Sequence, residues 1–233
     1  MYYPKKNEFI KLAKKGSLIP VFREIIADTE TPVSAYSKIA GTNSFLLESV
    51  EGGENVARYS FLGCDPYLIF KSKGQDIEII RKQTSHKPRA TNSIQKITGN
   101  PFDELKKILE KYKPVKIEGL PRFHGGAVGY VGYDAVRFIE DIPNKNKDDL
   151  GLPDCLFFLT DTMLAFDHAK HKIIVISNAH AEGSPEKAYD EAVSKIEKLV
   201  KKISVSSNIA PMNDGGKNKI AEVFCNISKK DFE

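Results

Sequence analysis

Two short apolar runs in the first third of the chain are interrupted by polar side chains that could together hold a small zwitterion. The runs are Ser44–Val50 and Ala57–Gly63, and the polar residues that interrupt them are Glu48, Ser49, Arg58 and Ser60. Arginine binds a carboxylate through two parallel hydrogen bonds, and glutamate accepts hydrogen bonds from an ammonium group. The alternative is an ordinary ion pair with solvated hydroxyls, because polar residues at strand ends usually face water.

A β-hairpin would place these polar side chains next to one another. Each run is short and apolar, which is typical of a strand, and the connection between them contains Gly52 and Gly53. Glycine adopts a positive φ without steric penalty, as a tight turn requires. We therefore predict that Ser44–Val50 and Ala57–Gly63 pair as neighbouring strands.

The rest of the chain is richer in strand patterns than in helix patterns. Further strands are predicted at Leu18–Ile26, Pro66–Lys71, Asp76–Arg81, Cys155–Phe166 and Lys172–Ser177. Helices, with apolar residues three or four apart, are predicted at Asn7–Lys15, Pro32–Ile39, Asn100–Leu109 and Pro185–Ile203. The polar segment Ser85–Ile97 is interpreted as a loop. Paired strands with few helices between them predict an α+β fold, in which a mostly antiparallel sheet forms part of a β-sandwich with helices packed outside.

A glycine-rich segment lies within Arg122–Glu140. Its glycines are Gly125, Gly126, Gly129 and Gly132. This spacing matches neither the phosphate-binding P-loop nor the dinucleotide fingerprint. We interpret the segment as a strand whose glycines allow another backbone to approach closely or form a bulge.

Composition and charge exclude several classes of protein. The 233 residues carry a net charge of +4, and the basic residues are dispersed among nearly as many acids. A nucleic-acid-binding protein would instead present a basic stripe. The N-terminus has no apolar signal core, and the chain has no apolar run long enough to span a membrane, so we expect a cytoplasmic protein.

Cysteines and histidines show no pattern typical of a metal site. The three cysteines are far apart and lack CxxC spacing, which also argues against a disulfide framework. His168 and His171 fall between two predicted strands and are expected to be exposed turn residues, whereas His124 is expected to be structural. No catalytic residue can be named from residue types alone.

The C-terminal segment has the composition of a linker followed by the start of a helix. Ser204–Asn218 is rich in Ser, Asn, Gly and Pro, and Ser228–Asp231 resembles a helix-capping box. Only Phe232 and Glu233 follow that box. We therefore expect the chain to be a fragment in which a second domain is just beginning.

These segments resemble the N-terminal region of the anthranilate synthase component I family, the chorismate-using large subunits of tryptophan biosynthesis. The matching segments are Ile19–Glu24, Asp28–Val33, Phe45–Glu54, Ala57–Gly63, Phe123–Asp134 and Ile227–Lys229. The Gly-Gly-x-x-Gly-Tyr segment is shared with the wider chorismate-using family. Aminodeoxychorismate synthase component I of the folate pathway therefore remains an alternative, as does a tryptophan-binding module without catalysis.

The resemblance implies an activity that is divided between two halves of a longer protein. Full-length members convert chorismate and ammonia into anthranilate and pyruvate, with ammonia supplied from glutamine by an amidotransferase subunit, component II. The C-terminal half of the family carries the chorismate pocket and the Mg²⁺ ligands. The resemblance thus implies no catalytic or metal-binding residue here, and a hetero-oligomer in the full-length form. The implied divisions are 1–203 for the N-terminal region, 204–226 for a linker and 227–233 for the start of the catalytic domain.

The resemblance also implies that this region supplies part of a feedback-inhibition site for L-tryptophan. The Leu-Leu-Glu-Ser motif lies at the centre of that site in the family, which assigns Glu48 and Ser49 to it. A basic residue on the following strand belongs to the same site. Arg58 is the nearest match, and Tyr59 beside it is the neighbouring candidate.

Overall fold

The computed structural model describes residues 1–49, 58–82, 93–145 and 147–204, and the strands within them form two five-stranded sheets. The strands are β1 Leu18–Ile26, β2 Ser44–Leu47, β3 Tyr59–Cys64, β4 Leu68–Lys73, β5 Asp76–Arg81, β6 Ser93–Thr98, β7 Gly126–Val131, β8 Cys155–Thr160, β9 Thr162–Asp167 and β10 Lys172–His180. The helices are α1 Lys6–Leu12, α2 Pro32–Ile39, α3 Pro101–Leu109, α4 Pro185–Ser204 and a 3₁₀ helix at Tyr133–Phe138.

The two sheets are antiparallel throughout their paired strands. The first has the strand order β1-β10-β9-β3-β2 and the second has the order β6-β5-β4-β8-β7. Helices α1, α2 and α4 lie outside the first sheet, while α3 packs with the second. The predicted α+β class, with mostly antiparallel strands and external helices, is confirmed.

Two helices begin where their sequences supply a capping group. The Thr31 side chain accepts a hydrogen bond from the Ser34 backbone N–H at 3.1 Å, and Pro32 occupies the first turn. The Asn100 side chain accepts one from the Phe102 N–H at 2.9 Å. Such side chains satisfy N–H groups that have no partner within the helix. The predicted starts of α2 and α3 are therefore confirmed.

The core of the first sheet lies on both of its faces. The helix-covered face buries side chains that alternate along the strands, including Leu62, Leu164 and Val175. The opposite face buries Met163 and Ile174, which pack against a segment that connects α3 to β7. Because both faces are covered, β9 and β10 read as continuous apolar runs rather than alternating ones.

The predicted strand Cys155–Phe166 is wrong as a single element. It consists of β8 in the second sheet and β9 in the first, separated at Asp161. The Asp161 backbone oxygen accepts a hydrogen bond from the Asn178 N–H at 2.6 Å, and its side chain pairs with Lys195 at 2.6 Å. One apolar run therefore crosses from one sheet to the other.

The predicted loop Ser85–Ile97 is also wrong at its C-terminal end. Residues 93–98 form β6, which pairs with β5 along its full length. Its side chains are mostly exposed, because β6 lies at the edge of the sheet. The turn at Gly52 and Gly53, residues 83–92, and the predicted linker and capping box after Ser204 lie outside the described residues.

Candidate functional site

The hairpin predicted from the sequence exists and brings its polar residues to one end. β2 and β3 pair antiparallel, with Leu47 opposite Phe61, so that Glu48 and Ser49 follow the last paired residue of β2. The Ser49 N–H lies 3.4 Å from the Ser60 hydroxyl oxygen. Glu48 and Ser49 therefore lie beside the start of β3.

Arg58 binds a carboxylate, and that carboxylate belongs to the protein. Its Nε donates to Oδ1 of Asp167 at 2.9 Å, and its Nη2 donates to Oδ2 at 2.7 Å. Asp167 is the last residue of β9, the strand next to β3. The side chain of Asp167 is 3% exposed and that of Arg58 is 32% exposed. The residue types in the sequence predicted Arg58 as a carboxylate ligand but did not indicate Asp167 as its partner.

The ion pair keeps Asp167 ionised despite its burial. Burial alone raises the pKa of this carboxyl, but the hydrogen bonds and positive charge of Arg58 outweigh it and hold the pKa below its ordinary value. The Lys170 backbone N–H adds a hydrogen bond at 3.2 Å to the same carboxylate. The carboxylate is therefore stabilised from two sides.

His168 contacts the same hairpin through Ser60. The Ser60 side chain is fully buried, and its oxygen lies 2.8 Å from Nε2 of His168. The His168 backbone N–H also donates to the carbonyl oxygen of Arg58 at 2.9 Å. His168 and His171 are exposed, as predicted. The contact with Ser60, however, joins residues 108 positions apart and left no local signal in the sequence.

Tyr59 lies between a cation and another ring. The guanidinium carbon of Arg58 is 5.0 Å from the centre of the Tyr59 ring, within the range of a cation–π contact. The rings of Tyr59 and Phe61 are stacked with centres 6.0 Å apart. Burial, and then the charge of Asp167, raise the pKa of the Tyr59 phenol. Tyr59 therefore offers a neutral, partly buried aromatic surface beside Arg58.

Glu48 differs from Arg58 in having no charged partner among the described residues. Its side chain is exposed. Across the described ranges, its carboxylate has neither a hydrogen bond nor an ion pair. The arrangement thus contains an available acid, a paired base, a half-buried serine and an aromatic ring. These groups are suited to a ligand that carries an ammonium, a carboxylate and an apolar body.

His124 and the glycine-rich segment have structural surroundings. Nδ1 of His124 lies 3.0 Å from the carbonyl oxygen of Pro121. β7 carries Gly129, where an added Cβ would lie 1.8 Å from the carbonyl oxygen of Leu156. The predicted strand with close backbone approach is confirmed.

A cavity lies at the junction of the two sheets, away from the hairpin. Its volume is about 390 Å³, and its wall includes the rings of Tyr67, Tyr112 and His180. The ring centres are 5.5 to 6.4 Å apart, and the Asp161–Lys195 ion pair lines the same space. None of its lining residues belongs to the predicted tryptophan site.

Metal-binding clusters and membrane-spanning helices were sought among the described residues. Within them, no group of three or more His, Cys, Asp or Glu side chains is placed to hold a metal ion. No helix among them is long and apolar enough to cross a membrane.

Comparisons with known proteins show which family the chain resembles. The model of the chorismate binding enzyme family matches residues 65–233. Anthranilate synthase component 1 of Acetivibrio thermocellus is 42% identical over 238 residues, which cover 100% of this chain and 46% of that protein. The protein of the same name from Synechocystis sp. is 37% identical and covers 86% of this chain and 39% of its own length. The crystal structure of anthranilate synthase component I from Streptococcus pneumoniae TIGR4 is 31% identical, covers 76% of this chain and 36% of that chain, and has a TM-score of 0.47.

The chain spans less than half the length of these curated relatives. The family model nevertheless matches well over half of this chain, and the relatives align with most or all of it. The resemblance drawn from the sequence is thereby confirmed, and the chain belongs to the chorismate binding enzyme family.

Proposed function

We propose that the chain is part of an anthranilate synthase component I, which converts chorismate and ammonia into anthranilate and pyruvate for L-tryptophan synthesis. The observation that carries this proposal is the 42% identity, over the whole chain, with anthranilate synthase component 1 of Acetivibrio thermocellus. Ammonia would come from glutamine through an amidotransferase partner, component II, in a cytoplasmic hetero-oligomer. The complete enzyme would be a carbon–oxygen lyase.

Within that enzyme, this chain would supply regulation rather than chemistry. The chorismate pocket and the Mg²⁺ ligands would lie in a C-terminal half that these 233 residues do not include. The chain alone is therefore expected to be inactive toward chorismate. Its own contribution would be part of the site through which L-tryptophan inhibits the enzyme.

The charges of the hairpin support L-tryptophan as the ligand. The exposed carboxylate of Glu48 is available for the ammonium group, and Arg58, directly before the neighbouring strand β3, carries a guanidinium for the carboxylate. The partly buried ring of Tyr59 would contact the indole through its face or edge. The Ser49 N–H contacts Ser60 of β3, so a short polar residue follows Glu48 at this end of the hairpin.

Inhibition would follow from unequal binding to two states of the enzyme. L-Tryptophan would bind the inactive state more tightly and shift the population toward it. A coupling of about 1–3 kcal/mol is typical and changes the apparent affinity by about 5- to 150-fold. The ligand would in turn bind less tightly when chorismate holds the enzyme in its active state.

Calorimetric titration of the chain with L-tryptophan tests the site directly. We expect saturable binding that Ser49→Phe abolishes, because a phenyl group would fill the half-buried space beside Ser60. Ser93→Phe is the matched control, since Ser93 is exposed on β6 in the other sheet. Ser49→Phe binding as tightly as the control would contradict the assignment, as would failure of both the chain and the complete enzyme to bind L-tryptophan.

A further inference from the structure

Two consecutive residues at the end of β9 hold the start of β3 in place. Asp167 binds the guanidinium of Arg58 through two hydrogen bonds, and His168 contacts the hydroxyl of Ser60 at 2.8 Å. The backbone N–H of His168 also donates to the carbonyl oxygen of Arg58. Three links therefore join Asp167 and His168, at the C-terminal end of β9, to Arg58, which precedes β3, and to Ser60 within it.

The same links extend to the β2 side of the hairpin. Ser60 lies within reach of both the Ser49 N–H, at 3.4 Å, and the His168 ring. Because Ser60 is fully buried, its hydroxyl has few alternative partners, and losing one leaves a buried polar group unsatisfied. One hydroxyl therefore connects the Ser49 backbone to the His168 ring.

We propose that Asp167 and His168 are positioning residues of the L-tryptophan site and that Asp167 sets its preference for a zwitterion. This inference rests on the function proposed above. A carboxylate that binds both Nε and Nη2 fixes the plane of the guanidinium, so Arg58 does not have to be ordered when a ligand binds. His168 similarly fixes the hydroxyl that receives the Ser49 N–H.

The charge of Asp167 has a separate consequence for specificity. Asp167 offsets the positive charge of Arg58, Lys170 is a second cation near it, and Glu48 supplies a carboxylate with no charged partner among the described residues. An indole ligand that has a carboxylate but no ammonium leaves the Glu48 carboxylate without an opposite charge. The site should therefore bind L-tryptophan in preference to indole-3-propionate, and neutralising Asp167 should reduce that preference.

The experiment is a calorimetric titration of this chain with L-tryptophan and with indole-3-propionate. We expect Asp167→Asn to weaken L-tryptophan binding by about tenfold. The ratio of the affinity for L-tryptophan to that for indole-3-propionate should fall by a similar factor. Asp76→Asn is the matched control, because Asp76 is exposed at the start of β5, and it should change neither value.

Because Asp167 is buried, replacing it can prevent folding, and a second variant at an exposed residue therefore provides an independent test. His168 is exposed, so His168→Ala is expected to fold, and we expect it to weaken L-tryptophan binding by about two- to tenfold while leaving the affinity ratio unchanged. Circular dichroism confirms that each variant is folded.

The possible results distinguish the positioning role of Asp167 and His168 from the tryptophan site itself. The positioning role would be overturned if His168→Ala binds L-tryptophan as tightly as the wild type and folded Asp167→Asn keeps the wild-type ratio of affinities for L-tryptophan and indole-3-propionate. The tryptophan site itself would then stand. No binding of L-tryptophan by either the wild-type chain or the complete enzyme would overturn the tryptophan site itself, and the positioning role with it. A loss of thermal stability without a change in the affinity ratio would identify Asp167 as purely structural.

Discussion

Gly129 of β7 lies directly against the backbone of Leu156 in β8. A Cβ atom built on Gly129 would be 1.8 Å from the Leu156 carbonyl oxygen and 2.7 Å from the Cα of Phe157. Both neighbouring atoms belong to the backbone, so neither can rotate away as a side chain would. The absence of a Cβ at this position is what lets the two strands approach.

Gly129→Ala should therefore destabilise the second sheet. We expect the free energy of unfolding to fall by about 1–3 kcal/mol or more, because the new methyl group can be accommodated only by moving β7 away from β8. Gly41→Ala is the matched control, since a Cβ there meets nothing within 4 Å, and its effect should stay within about 0.5 kcal/mol. Urea unfolding of both variants measures the difference, and equal stabilities would show that the strands separate without penalty.

Local patterns predicted most strands and helices of this chain, but they could not assign strands to sheets. Cys155–Phe166 is apolar apart from Thr160, Asp161 and Thr162, and its side chains are buried or partly buried in both strands. The break at Asp161 is set by partners in β10 and α4, which are distant in sequence. β6 was missed for the opposite reason, because an exposed edge strand has no apolar alternation to detect.

In the candidate site, too, local patterns predicted residues but not their partners on other strands. Glu48, Ser49 and Arg58 could be selected from the sequence because their residue types and their positions on two neighbouring runs already suggest a ligand. Asp167 could not, because it lies 109 positions from Arg58 and follows a run that reads as ordinary core. Pairing across strands is a property of the sheet order, and periodicity within a strand contains no information about it.

The Arg58–Asp167 pair should make stability depend on acid pH. The pKa of Asp167 is lower in the folded chain than in the unfolded chain, so the unfolded state takes up its proton first as the pH falls. The stabilisation is fully present above the ordinary pKa of an aspartate, about 3.9, and is lost as the pH falls through the lower folded value.

Unfolding experiments between about pH 6 and pH 2.5 check this dependence. We expect the wild-type free energy of unfolding to fall more steeply below about pH 4 than that of Asp167→Asn, which has no carboxyl to protonate. Asp76→Asn should follow the wild-type curve. Parallel curves for all three proteins would mean that Asp167 titrates alike in both states.

Glu48→Lys should relieve inhibition by L-tryptophan in the complete enzyme. The substitution replaces the available carboxylate with a second cation, which repels the ammonium group of the ligand. We expect the concentration of L-tryptophan that gives half-inhibition to rise by at least tenfold, while the rate of anthranilate formation without tryptophan stays within about twofold of wild type. Glu8→Lys, an exposed acid of α1, is the control. Unchanged inhibition in Glu48→Lys would remove Glu48 from the site.

The second sheet carries an apolar row that should promote self-association of this chain. Val128, Phe158, Ile69, Ile80 and Ile94 lie opposite one another in register across all five strands. Ile94, at the edge, is 60% exposed, and an exposed edge strand with apolar side chains can pair with a second copy. We expect sedimentation velocity to show concentration-dependent oligomers that Ile94→Lys reduces, because a charged edge strand resists pairing. Gln95→Lys, the exposed neighbour whose side chain points to the other face, should reduce them less. A monodisperse wild-type monomer would show that this row does not drive association.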